Sequence, residues 1–236
     1  MTLEGVVFDF DGVIANSEPV HLRVYQILLS EEGLGFPASE YYEHYLGLDD
    51  LGILNALARD KGLDIGGDRM RQLIARKTQT FLRLVQDRDV LFPGAAACLR
   101  AVAAAVPVAI ASGALLHEIV EILEGAGVRP LVPVIVAAGD TPRGKPAPDP
   151  FARAVELLSQ RAGRRLKPSC MVALEDSRPG LRAARDAGLR TLGVSTSYPA
   201  EVLHEADHVV PDISHVTVEL LDSLTASSPA RRISGT

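Results

Sequence analysis

The stretch Leu3-Glu4-Gly5-Val6-Val7-Phe8-Asp9-Phe10-Asp11-Gly12-Val13 decides how the rest of the chain is read. Its first half, Leu3 to Phe8, is a short apolar run that suits a buried strand. Its second half sets two acids, Asp9 and Asp11, at i and i+2 directly behind that strand. Acids beside a buried run are costly unless they are used or paired. An Asp after a strand also caps turns, with glycine next, so a structural reading of either acid alone stays open. The pair at a strand end, where open parallel sheets bind ligands, points to a site.

Working outward, four more runs share the character of the first: Val106 to Ala111, Leu131 to Ala137, Cys170 to Leu174 and Thr191 to Val194. Each is rich in Val, Ile, Leu or Ala and closed by polar residues or glycine, as in a parallel sheet covered on both faces. Helical stripes lie between them: Leu116, Ile119, Val120 and Leu123, then Phe151, Ala154, Val155 and Leu158. Asp149 followed by Pro150 is a start signal for the second. The alternation predicts an α/β fold with a doubly wound parallel sheet.

Residues 17–88 break the alternation. They hold no convincing strand. Val20, Val24, Ile27 and Leu28 make one stripe; Leu51, Leu54, Leu57 and Ala58 make another. Met70, Leu73, Ile74, Lys77, Phe81, Leu82 and Val85 make a third. Glycines and Pro37 punctuate them. The expectation is a sheet domain of residues 1–16 and 89–224, interrupted by a helical domain of residues 17–88 in the position of a lid. Residues 225–236 are small, polar and basic, and are expected to be disordered.

Bulk properties narrow the function. The chain has 236 residues and 47% hydrophobic residues, enough for a core in two modest domains. A net charge of -6 gives no global attraction to nucleic acid or an anionic membrane. Cys98 and Cys170 form no metal pattern and read as small core residues of a reducing compartment. No signal peptide is evident at the N-terminus. The most apolar stretch, Ala101 to Ala111, is broken by Pro107 and falls short of the ~18 residues of a membrane span. A soluble cytoplasmic protein is expected, a monomer or weak homodimer with no nucleic-acid or membrane partner.

Three further strand ends carry chemistry. Ser112-Gly113-Ala114 offers a hydroxyl and backbone N–H groups before a helix expected to begin at once, a ready phosphate site; Ser is equally a common helix cap. In Gly144-Lys145-Pro146-Ala147-Pro148-Asp149-Pro150, the prolines fix a loop and Lys145 is either a compact positive charge for an anion or a solvated lysine. Glu175 and Asp176, behind the fourth run, suit oxygen ligation of a hard cation, or a cap beside an exposed acid. Taken together, these groups would clash without a divalent cation and an anionic substrate. Mg²⁺ with a phosphoryl group supplies both.

The motifs DFDGV, ASG, GKPAPDP and LEDS, in that order, resemble the haloacid dehalogenase superfamily, and more narrowly its capped phosphatases and β-phosphoglucomutase-like members. The resemblance spans Val6 to about Val210, helical insert included. It implies a Rossmann-like core with an inserted helical cap, and Mg²⁺ as cofactor. It makes Asp9 the nucleophile that becomes an aspartyl phosphate. Asp11 becomes the acid and base, with its backbone carbonyl toward the metal. Ser112, with the N–H groups near Gly113 and Ala114, holds a phosphoryl oxygen. Lys145 neutralises the nucleophile and the transferring group. Asp176 completes the metal site, with Glu175 ligating directly or through water.

The resemblance also places a hinge and substrate contacts at Ser17, Glu18 and His21. Glu18 would bind a substrate hydroxyl, although a first-turn Glu is also favoured by the helix dipole. The loop Tyr45-Leu46-Gly47-Leu48-Asp49-Asp50 matches the cap's specificity loop. Phosphoglucomutase-like members carry an arginine there for a second phosphate, and none lies between Tyr45 and Ala58. Arg59, Arg76 and Lys77 replace it only if turned inward. The expected function is therefore a phosphatase for a sugar phosphate or similar small ester, with a phosphomutase as the alternative. A dehalogenase of this family lacks the second Asp that stands here as Asp11. Phospho-accepting receiver modules are about half this length and have no helical insert.

Overall fold

Strand β1 (Gly5–Phe8) is wholly buried and runs parallel to β2 (Val108–Ala111) on one side and β4 (Met171–Glu175) on the other. Beyond these lie β3 (Val134–Val136), beside β2, then β5 (Arg190–Val194), beside β4, and β6 (His208–Val210), beside β5. The order β3-β2-β1-β4-β5-β6 makes an all-parallel six-stranded sheet among the described residues, which are 1–45, 50–62, 65–86 and 90–226 in this computed structural model. The chain winds outward from β1 in one direction and then from β4 in the other. The strand order reverses between them, and that is where such sheets bind ligands.

Helices α5 (Ala95–Ala105), α6 (Leu116–Gly125), α7 (Asp149–Ala162), α8 (Arg178–Asp186) and α9 (Val218–Ala226) connect or flank the strands. Phe151, Ala154, Val155 and Leu158 of α7 and Ala183 and Ala184 of α8 bury one sheet face with Val7, Ala109, Val134 and Ala173. The period of the second predicted stripe is therefore the packing face of α7. The other stripe is shifted: Leu116 is half exposed, while Ile119, Ile122 and Leu123 are buried.

Two strand expectations and one for the C-terminal tail differ from the structure. The run Leu131 to Ala137 yields only Val134–Val136, because Arg129–Leu131 forms a 3-10 turn and Pro133 cannot donate to a ladder. Strand β6 was not foreseen; it is three residues long and partly exposed. The last helix runs to Ala226, so Thr225 and Ala226 are helical, and the rest of the expected tail lies outside the described residues.

The chain divides into two compact units, Met1–Asn16 with Leu91–Thr236 and Ser17–Val90. The second unit is helical: α1 (Glu18–Glu31), α2 (Ala38–His44), α3 (Asp50–Lys61) and α4 (Gly67–Gln86). Its own core gathers Leu22, Tyr25, Leu29, Phe36, Tyr41, Tyr45, Leu54, Leu57, Met70 and Leu73. No helix among the described residues is long and apolar enough to cross a membrane.

Candidate functional site

Asp9 follows β1 directly. Its N–H donates to Leu174 O at 2.9 Å, which keeps it in register with the end of β4. The chain then closes a tight turn on itself, with Gly12 N–H donating to Ala15 O at 2.9 Å and Ile14 N–H to Phe10 O at 2.8 Å. Phe10 N–H donates to Asp9 Oδ1 at 2.7 Å, so the carboxylate is held by its own backbone.

The strand reversal brings Asp9, Glu175 and Asp176 together. All three are buried, and each offers an oxygen within 4.8 Å of the others. Lys145 arrives from the loop before α7 and bridges two of them, at 2.8 Å from Asp9 Oδ1 and 2.7 Å from Glu175 Oε1. Its ammonium also lies 5.0 Å from the centre of the Phe151 ring, a cation–π distance. Glu175 is fully buried, and its other oxygen accepts from Ser177 N–H at 2.9 Å and Ser177 Oγ at 2.8 Å. Ser177 in turn caps α8, accepting from Gly180 N–H at 3.2 Å. The Glu175 carboxylate thus sits at the positive end of a helix.

Two glycines make room for this cluster. A Cβ on Gly180 would lie 1.6 Å from Glu175 Oε1, and one on Gly12 would lie 1.8 Å from Asp176 Oδ2. Gly12 also has φ +79°, which disfavours a side chain on conformational grounds alone. Ser197 Oγ donates to Asp176 Oδ2 and Thr196 Oγ1 to the Gly12 carbonyl.

The electrostatics follow from the crowding. Three carboxylates face one ammonium, so full ionisation would leave two negative charges uncompensated. Burial, and then the charge of Glu175, raise Asp9 well above the ordinary carboxylate range against the pull of Lys145. Burial and Glu175 likewise push Asp176 up to about 7, and Asp11 adds a smaller push in the same direction. Burial opposes the charges of Glu175 and Lys145 too. For Glu175 it is outweighed by Lys145 and Ser177, which hold it below its usual value. For Lys145 it is outweighed by Asp9 and Glu175, which raise its pKa. An all-oxygen donor set with surplus negative charge fits a hard divalent cation such as Mg²⁺.

The other expected residues fall as follows. Asp11 is half-buried in the turn after Asp9, and the three-carboxylate group does not include it. Ser112 is buried behind β2, next to β1, with its N–H bound to Val136 O at 2.9 Å. It is not the helix cap, since α6 begins only at Leu116 with Leu115 as its cap. Ala114 N–H, expected to face a phosphate, donates to Ser112 Oγ at 3.0 Å; Gly113 is exposed.

Glu18 belongs to the helical unit, where it accepts from Tyr41 OH at 2.6 Å and burial raises its pKa. In that unit His21 stacks on Phe81 at 4.5 Å, and Lys77 reaches Asp50 at 2.9 Å. Arg59 pairs with Asp60, and Arg76 with Glu31 and Glu32; Arg59 is exposed. Of the specificity loop, Leu46, Gly47, Leu48 and Asp49 lie outside the described residues.

Sequence reading missed Gly12, Gly180, Thr196 and Ser197, and gave Ser177 no role. Thr196 and Ser197 stand behind the fifth predicted run, so the strand-end rule that found Asp9 would have found them.

Known proteins resemble the chain over most of its length. Protein CbbY of Rhodobacter capsulatus is 29% identical over 233 residues, covering 95% of this chain and all of that one. Fructose-1-phosphate phosphatase YqaB of Escherichia coli is 29% identical over 202 residues, covering 80% of this chain and 95% of that one. The crystal structure of CbbY from Rhodobacter sphaeroides in complex with xylulose-(1,5)bisphosphate superposes with a TM-score of 0.81 at 26% identity, covering 93% of this chain and 99% of that one. The family model for haloacid dehalogenase-like hydrolases matches residues 3–188, and the chain belongs to that family.

Proposed function

We propose that the protein is a magnesium-dependent phosphatase that hydrolyses a phosphorylated sugar through an aspartyl phosphate on Asp9. The observation that carries this reading is the buried group of Asp9, Glu175 and Asp176 bridged by Lys145 at the strand reversal. The sugar class is supported by YqaB, named a fructose-1-phosphate phosphatase, and by the sugar bisphosphate held by the similar CbbY structure.

Asp9 attacks phosphorus, and the bond to the ester oxygen breaks as the Asp9–phosphorus linkage forms. Asp11 gives its proton to the departing sugar oxygen. Water then attacks the same phosphorus and returns a proton to Asp11, and the Asp9 carboxylate leaves. Lys145, fixed between Asp9 and Glu175, offsets negative charge on the transferring group. Ser112 Oγ accepts the Ala114 N–H, which leaves its own O–H to donate to a phosphoryl oxygen.

Asp9 and Asp176 would hold Mg²⁺, with the Asp11 backbone carbonyl beside them. Both Glu175 oxygens are occupied by Lys145 and Ser177, which favours contact through water. The chemistry it supplies when bound is neutralisation of the phosphoryl charge.

The test is phosphate release from a panel of sugar monophosphates and bisphosphates, with and without Mg²⁺. Magnesium-dependent release concentrated on a few sugars is expected. No release from any, with isomerisation of a hexose phosphate given its bisphosphate, would replace hydrolysis by the mutase reaction.

A further inference from the structure

Behind β5 the chain runs Ser195-Thr196-Ser197-Tyr198-Pro199. Two adjacent hydroxyls of this loop fasten two other segments. Thr196 Oγ1 donates to the carbonyl of Gly12, in the turn behind β1, and Ser197 Oγ donates to Asp176 Oδ2, behind β4. The meeting depends on glycine: a Cβ on residue 12 would lie 1.8 Å from Asp176 Oδ2 and 2.9 Å from Ser197 Oγ.

The loop is itself well held. Ser195 N–H donates to Val210 O at 2.9 Å and Ser195 Oγ to the same oxygen at 3.2 Å. Farther along, Glu205 is clamped by Arg178 at 3.4 Å, while Arg185 donates to its carbonyl at 3.1 Å. A loop tied at both ends can hold a carboxylate still; a freely moving one could not.

We propose that Ser197 is a positioning residue for the cation site: it fixes Asp176 through Oδ2 and leaves Oδ1 turned to the metal, while Thr196 fixes the Gly12 carbonyl in the turn that carries Asp11. The inference rests on the magnesium reading above. A carboxylate has two equivalent oxygens and rotates about its last bond, so an unanchored Asp176 would spend part of its time presenting neither oxygen correctly. Partners that orient a ligand in this way change metal affinity by about 10- to 100-fold when removed. Ser197 is exposed, so its truncation removes the hydroxyl without opening a core cavity.

The experiment is a calorimetric Mg²⁺ titration of the full-length wild type, S197A and S197T in the absence of substrate. S197A is expected to weaken Mg²⁺ binding about 10-fold and to melt like wild type without metal; S197T, which keeps the hydroxyl, is expected to restore binding. Equal Mg²⁺ affinity in wild type and S197A would overturn the role of Ser197 and leave the magnesium reading standing. No Mg²⁺ binding by the wild type would overturn both.

Discussion

Two lysines invite comparison. Lys145 in the sheet unit and Lys77 in the helical unit each lie 5.0 Å from the centre of a phenylalanine ring, Phe151 and Phe81 respectively. Each meets a carboxylate at 2.9 Å or less. Their settings differ in what surrounds the pair. Lys145 sits on a loop at strand ends, among carboxylates in surplus. Lys77 sits inside α4 and is 1% exposed, and its partner Asp50 is also held by Tyr25 OH at 2.7 Å. A buried ion pair whose acids are tied by other protein donors is a structural element. A buried lysine facing more acids than it can neutralise marks a place left for a cation and an anion to arrive.

The largest expected effect belongs to the surplus itself. D9N should lower turnover on the order of 10⁴-fold while circular dichroism and melting show an intact fold. Retained turnover would remove Asp9 from the nucleophile's role.

The two lysines separate next. K145M and K77M should each cost about 3 kcal/mol of stability by stranding a buried acid. Denaturant titration with Mg²⁺ distinguishes them. The metal should narrow the gap between K145M and wild type, because it replaces lost positive charge, and should leave the gap for K77M unchanged. Equal response in both would erase the distinction drawn here.

A smaller effect is carried by pH. Burial, helped by the charge of Lys77, holds His21 well below the ordinary imidazole value. The unfolded chain therefore binds a proton near pH 6.5 that the folded chain refuses. Stability from this group is present above about pH 6.5 and lost as the pH falls below it. H21F keeps a ring against Phe81 and should lose less stability than wild type between pH 7 and pH 5; parallel acid limbs would contradict it. The smallest effect is expected from R143Q. Its bidentate pair with Asp149, at 2.8 and 3.1 Å, is open to solvent, and the melting temperature should barely move.

Legibility from sequence followed the same division. The strands behind which Asp9 and Asp176 stand were readable because a buried strand in a parallel sheet is continuously apolar and its end is abruptly polar. Lys145 was readable because its loop is framed by prolines. Lys77 appeared only as one member of a helical stripe, since periodicity reports burial and not which partner waits inside. Strand β6 was too short and too exposed to make a pattern. The start of α6 was misplaced because Ser112 carries the composition of a cap, and only the backbone bend at Gly113 and Ala114 delays the helix to Leu116. Thr196 and Ser197 stand at a strand end where a polar residue is worth a look, but that they meet Gly12 and Asp176 is a long-range fact that no local pattern encodes.

The most direct measurement is an acid quench of the working enzyme with a sugar phosphate, followed by mass spectrometry of its peptides. A phosphoryl group on Asp9 in the wild type, absent from D9N, is the predicted result. Phosphate release at full rate with Asp9 never labelled, or a labelled residue elsewhere, would contradict it.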